Sequence, residues 1–153
     1  GGGQEKKLRS GTENIAAIAA FAQAGSDAQR DMEKNLLEAN ELLKYCLQRL
    51  EDIKGVHIHR PSKASPYILC ISVPGIKSEI MIHLLEEKDV YISAGSACSA
   101  KKAIRSRILE DFGLSESELQ SVLRISTCFE STKNDIDALC AGLAAEIKAG
   151  VKA

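Results

Sequence analysis

Tryptophan is missing from this chain of 153 residues, and aromatic side chains make up only 4% of it. Any core must therefore be aliphatic. Neither sign of charge prevails: 20 Lys and Arg face 21 Asp and Glu, for a net charge of −1. With no long basic run either, a nucleic-acid partner is not expected. No apolar run approaches the roughly 20 residues of a membrane span, so no membrane partner is expected. The N-terminus is polar and glycine-rich and does not read as a signal peptide. Paired cysteines are missing as well. The five cysteines are Cys46, Cys70, Cys98, Cys128 and Cys140. Their number is odd, and no two form the short-spaced pair that structural zinc sites favour. His57 and His59 have no cysteine near them in sequence, so no metal is expected. Reduced thiols suit a cytoplasmic location.

The length suffices for one domain with a real core. A helical region runs from about Glu13 to Leu50, with Gly25 and Ser26 as a candidate break. Met32, Leu36, Ala39, Leu43, Cys46, Leu47 and Leu50 form its apolar stripe. Thr12 suits the N-cap of this helix, or an anion site beside the helix N-terminus. Gly55 ends the region. Val56–Arg60 alternates as a short strand, on which the histidine pair reads as surface decoration. Tyr67–Val73 is a continuous apolar run, the pattern of a buried strand. Pro74-Gly75 turns the chain into a helix over Lys77–Glu87, with Ser78 as an alternative cap. Val90–Ile92 reads as a strand and Ala103–Phe112 as a helix. Ser115 with Glu118 forms a capping box. Val122–Ser126 reads as a strand, and Thr132 caps a last helix with Ile136, Leu139, Cys140, Leu143 and Ile147 inward. This order predicts a mixed α/β chain: a small α+β domain whose sheet is covered by helices, with one long N-terminal helical region.

The stretch Tyr91-Ile92-Ser93-Ala94-Gly95-Ser96-Ala97-Cys98-Ser99-Ala100-Lys101-Lys102 sets one thiol among small residues, with two lysines after it. Buried cysteine on a tight turn is one reading. A thiolate favoured by positive charge is the other.

Three stretches resemble the cysteine desulfurases, pyridoxal-phosphate enzymes of the class V aminotransferase group. They are Gly1-Gly2-Gly3-Gln4-Glu5 running into Leu8-Arg9-Ser10-Gly11-Thr12-Glu13-Asn14, then Ser93-Ala94-Gly95-Ser96-Ala97-Cys98-Ser99, then Leu123-Arg124-Ile125-Ser126 with Thr132 and Ile136-Asp137. The resemblance runs almost end to end and covers the C-terminal part of such an enzyme. It implies the small C-terminal domain of a fold type I enzyme over residues 1–153, with 1–13 an active-site loop at the junction with a large N-terminal domain. None of the lysines here matches the family's cofactor lysine, which the resemblance sets just before the opening glycines. The stretch alone is therefore expected to be inactive.

For the whole enzyme, the resemblance implies removal of sulfur from L-cysteine, giving L-alanine and a persulfide on Cys98. That sulfur would serve iron–sulfur cluster or thio-cofactor synthesis, through an acceptor or scaffold protein. Cys98 takes the role of nucleophile, and Arg124 grips the substrate carboxylate. Thr12 touches the cofactor phosphate of the neighbouring subunit, which implies a homodimer. Ala94 and Arg105 depart from residues common in relatives. A selenocysteine lyase and a sulfur-carrier or interaction module without its own catalysis are the alternative readings.

Overall fold

The computed structural model describes residues 2–95 and 113–150. The chain divides into two compact units, Gly1–Leu36 and Leu37–Ala153.

In the first unit, Gln4 organises a polar loop. Its side-chain Oε1 accepts the Gly11 N–H at 3.2 Å. Between them, Glu5, Lys6 and Lys7 all have left-handed φ angles of 50°, 52° and 67°. Each such residue costs about 1–2 kcal/mol. The turn is tied by Lys7 N–H to Gln4 O at 3.0 Å and Leu8 N–H to Glu5 O at 2.9 Å. Helix α1 (Ile15–Glu51) begins here. Its cap is Asn14, whose Oδ1 accepts the Ala17 N–H at 3.0 Å. The expectation that Thr12 caps this helix is corrected: helical turns start at Ile15, so the cap position falls on Asn14. Nor does α1 break at Gly25 and Ser26. A single glycine costs a helix only about 1 kcal/mol, less than the turns on either side supply. Met32 and Leu36, expected in the core stripe, are exposed.

The second unit is built on a four-stranded sheet, antiparallel throughout, in the order β1-β2-β4-β3. The strands are β1 (His57–His59), β2 (Ile68–Ser72), β3 (Ser93–Ala94) and β4 (Val122–Ser126). The helices among the described residues are the end of α1, α2 (Ser78–Glu86), α3 (Glu116–Leu119) and α4 (Lys133–Ala149). Side chains alternate along a strand. Leu69 and Ile71 of β2, with Leu123 and Ile125 of β4, therefore enter one core. Leu43, Cys46 and Leu50 of α1, Met81 and Leu85 of α2, and Ile136, Leu139 and Leu143 of α4 close over them. Burying one such side chain contributes about 1.5–3 kcal/mol.

Local chemistry fixes the ends of these elements. Ser115 and Glu118 form the capping box of α3, with the Ser115 N–H and Oγ donating to Glu118 Oε2 at 2.9 and 2.6 Å. Thr132 caps α4: its Oγ1 accepts the Asp135 N–H at 3.4 Å, and its own N–H donates to Asp135 Oδ2 at 2.7 Å. Helix α2 starts at Ser78, not Lys77, and has no side-chain cap. The Ser78 N–H is instead satisfied by Gln120 O at 2.9 Å. The third strand also shifts, from the expected Val90–Ile92 to Ser93–Ala94. Asp89 turns left-handed after α2 at φ 57°, and the Val90 N–H folds back to Leu85 O at 3.0 Å. That helix-ending turn holds the chain off the ladder until Ser93.

Candidate active site

The face of the sheet turned away from the core carries the polar side chains. Strand register places them. His59 lies directly opposite Cys70, Cys70 opposite Arg124, and Arg124 opposite Ser93. Directly opposite residues project to the same face with Cβ atoms about 4.5–5.5 Å apart. A row of imidazole, thiol, guanidinium and hydroxyl thus crosses all four strands. All four residues are half-buried. The neighbouring row, His57, Ser72 and Val122, lies toward α3, and there Ser72 is fully buried.

Arg124, expected to grip a carboxylate, has no carboxylate within ion-pair distance among the described residues. The two arginines of α1 do find one: Arg30 pairs with Asp27 at 3.0 Å, and Arg49 with Asp137 at 2.9 Å. A half-buried guanidinium without a counterion carries an uncompensated desolvation cost. Its planar fork fits a carboxylate bidentately. An ordinary structural ion pair for Arg124 is thereby set aside within these residues.

The groups around it are polarised by their surroundings. His59 shares a 2.8 Å hydrogen bond with the Ser72 hydroxyl, and burial pushes its pKa down, favouring neutral imidazole. Glu118, with the His57 Nδ1 at 2.9 Å, is held down to about 2, chiefly by that bond and then by Ser115. Burial pushes the Cys70 thiol up, while the Arg124 guanidinium pulls the other way. Cys70 thus favours the neutral thiol.

The remaining thiols separate by environment. Cys46 is pushed up to about 12 by burial in the core, and burial raises Cys140 as well. Both are poor nucleophiles. Cys128 is exposed, and its N–H donates to Ser131 Oγ at 3.0 Å. Cys98, with Lys101, Lys102, Arg105 and the expected helix Ala103–Phe112, lies outside the described residues. The chain is held on the sheet up to Gly95, whose N–H donates to Val122 O at 3.0 Å.

Thr12 belongs to the first unit, where it is exposed between Gly11, at φ 106°, and the start of α1. An exposed hydroxyl close to the positive end of a helix dipole fits a phosphate oxygen. The residues present therefore fit the phosphate of a cofactor such as pyridoxal phosphate. Among the described residues no group of three or more His, Cys, Asp or Glu could hold a metal ion. No helix there is long and apolar enough to cross a membrane.

No sequence pattern shows the company Arg124 keeps. Alternation along β2 and β4 could have put Cys70 and Arg124 on the non-core face. Register, which no local pattern encodes, is what puts them side by side.

Comparison with known proteins extends this picture. Residues 2–139 match the family model of aminotransferase class V. A NifS/IcsS protein homolog of Lactobacillus delbrueckii subsp. bulgaricus is 39% identical over 90% of this chain and 36% of its own length. The cysteine desulfurase IscS 1 of Archaeoglobus fulgidus is 29% identical over 91% of this chain and 37% of its own. The X-ray structure of a NifS-like protein from Rickettsia africae superposes with a TM-score of 0.80 at 28% identity, over 97% of this chain and 39% of that one. The chain thus spans just over a third of the length of these relatives. An antiparallel sheet with helices on its core face, and on the other an arginine unpaired among the described residues, accompanies a family match over most of the sequence, and the chain belongs to the class V aminotransferases.

Proposed function

We propose that this chain is the C-terminal part of a cysteine desulfurase, taking sulfur from L-cysteine and leaving L-alanine. The observation that carries the reading is Arg124, a half-buried guanidinium on an inner strand of the sheet with no carboxylate partner among the described residues. The names of the relatives supply the substrate class.

In this reading Arg124 holds the substrate carboxylate and fixes the orientation of the rest of the molecule. The thiolate of Cys98 forms the new S–S bond to the substrate sulfur as the carbon–sulfur bond breaks, and Cys98 is left as a persulfide. The carbon that loses sulfur gains a proton and becomes the methyl group of alanine. Pyridoxal phosphate, when bound, supplies the electron sink for that bond cleavage. Thr12, with the N–H groups at the start of α1, is the candidate contact to its phosphate. By the resemblance, Thr12 serves the neighbouring subunit of a homodimer. Residues 1–153 form the small domain, with 1–13 a loop of the active site. The persulfide passes to an acceptor protein for iron–sulfur cluster or thio-cofactor synthesis in the cytoplasm.

The test is persulfide mapping by mass spectrometry on the full-length protein fed L-cysteine. Persulfide on Cys98, with alanine release lost in Cys98→Ala, is the expected result. Persulfide on Cys128, or full activity in Cys98→Ala, overturns the assignment of the nucleophile.

A further inference from the structure

The row His59, Cys70, Arg124, Ser93 contains one cation and no anion. Only Cys70 and Ser93 lie directly across the ladder from Arg124. Ser93 is always neutral. An aspartate at position 70 would sit within reach of the guanidinium and neutralise it, as Asp27 does for Arg30 and Asp137 for Arg49. A thiol is small, and its hydrogen-bonding is weak. It therefore neither cancels the charge of the arginine nor competes for its five N–H donors. His59 is turned to Ser72, with which it shares its hydrogen bond.

Resting on the desulfurase reading above, we propose that Cys70 is a positioning residue for the substrate carboxylate: an uncharged neighbour that leaves the Arg124 fork free for a small carboxylate arriving on the face of the sheet turned away from the core. It forms no bond to substrate. It acts through Arg124, and what it determines is affinity for the carboxylate, not the rate of sulfur transfer.

Two readouts test this in the full-length protein. The first needs no turnover. Cys70 is alkylated with iodoacetate, which bears a carboxylate, and with iodoacetamide, which does not, and each site is quantified by peptide mapping. The iodoacetate-to-iodoacetamide rate ratio at Cys70 is expected to exceed that at exposed Cys128 by roughly fivefold, since an opposite charge nearby attracts the anionic reagent. Arg124→Gln is expected to bring the two ratios together. Equal ratios in the parent overturn the proposal. A Cys70 that takes neither reagent overturns it too, since a face closed to a two-carbon carboxylate cannot receive the substrate.

The second readout is kinetic. Cys70→Asp is expected to raise KM for L-cysteine by about tenfold or more, as a competing carboxylate occupies the fork, with kcat within about twofold of the parent. Cys70→Ser, neutral and of similar size, is expected to keep the parental KM. An equal fall in kcat for both variants would mark a structural role and overturn the proposal. The two readings fail separately. A protein inert toward cysteine refutes the desulfurase reading while the alkylation contrast still reports on Arg124. Activity without the alkylation and KM contrasts refutes only the role of Cys70.

Discussion

At position 142 a side chain has no room. A Cβ built on Gly142 of α4 would lie 2.6 Å from Leu85 Cδ2, and Leu85 is fully buried. Alanine is the better helix former by about 1 kcal/mol. Even so, Gly142→Ala is expected to lower stability by about 1–3 kcal/mol, the usual cost of overpacking. Urea unfolding measures it, and adding Leu85→Val is expected to recover part of the loss. A pH prediction belongs to Glu118, whose folded pKa is lowered from 4.5 to about 2, first by the bond to His57. A depressed carboxylate pKa stabilises above the unfolded value and loses that contribution as pH falls through the folded one. The stability gap between the parent and Glu118→Gln is therefore expected to be constant above about pH 5.5 and to shrink steadily toward pH 2. A gap that stays flat down to pH 2 contradicts the depressed pKa. The Ser115–Glu118 capping box and the Thr132 cap are legible in the sequence, because both are local patterns; the return bond from Asp135 that completes a second box comes from the structure. Cys70 and Ser93 as neighbours of Arg124 are not legible there, because they come from strands about 54 and 31 positions away along the chain.

At the scale of elements, the described helices and the two inner strands follow from periodicity, and the differences fall at ends and joints. Helix α1 crosses Gly25 without a break, and a Cβ there would meet nothing within 4 Å. Gly25→Ala is thus expected to raise helix content by circular dichroism and to stabilise this part of α1 by up to about 1 kcal/mol. A loss of helix signal would mean that glycine is required there for a contact. Helix α4 depends on its first turn. Thr132→Ala removes the acceptor for the Asp135 N–H and is expected to cost about 1 kcal/mol in thermal unfolding. Strand β3 was misplaced by three residues because the left-handed turn at Asp89 has no glycine to announce it. Burial on α1 begins only at Ala39, so its buried stripe is shorter than the spacing predicts. Met32 and Leu36 keep the helical spacing of Leu43 and Leu50, and spacing alone does not say where the sheet that covers such a stripe begins.

At the scale of the whole molecule, the two units differ in kind. None of residues 2–36 is buried, whereas Leu50, Ile71, Met81, Leu85, Leu123 and Leu143 in the second unit are fully enclosed. Helix without buried apolar contacts opens at low free energy. Amide hydrogen exchange on the chain is therefore expected to be more than about a hundredfold faster over Ile18–Leu36 than over Leu43–Leu50, although both belong to one helix. Uniform protection along α1 would contradict this. The family itself was legible because its glycine-rich opening, the thiol stretch and the Arg124 strand stand in a fixed order. The order of the sheet has a further consequence, for biosynthesis. Among the described strands β4 is the last to leave the ribosome, yet it lies between β2 and β3, and β3 pairs with no other of them. Until Val122–Ser126 has been translated, the β1–β2 hairpin is the one pairing of these four strands that can form, and Ser93–Ala94 lacks the partner it has in the sheet. A premature stop before Val122 would not trim the edge of this domain; it would remove its centre, and with it Arg124.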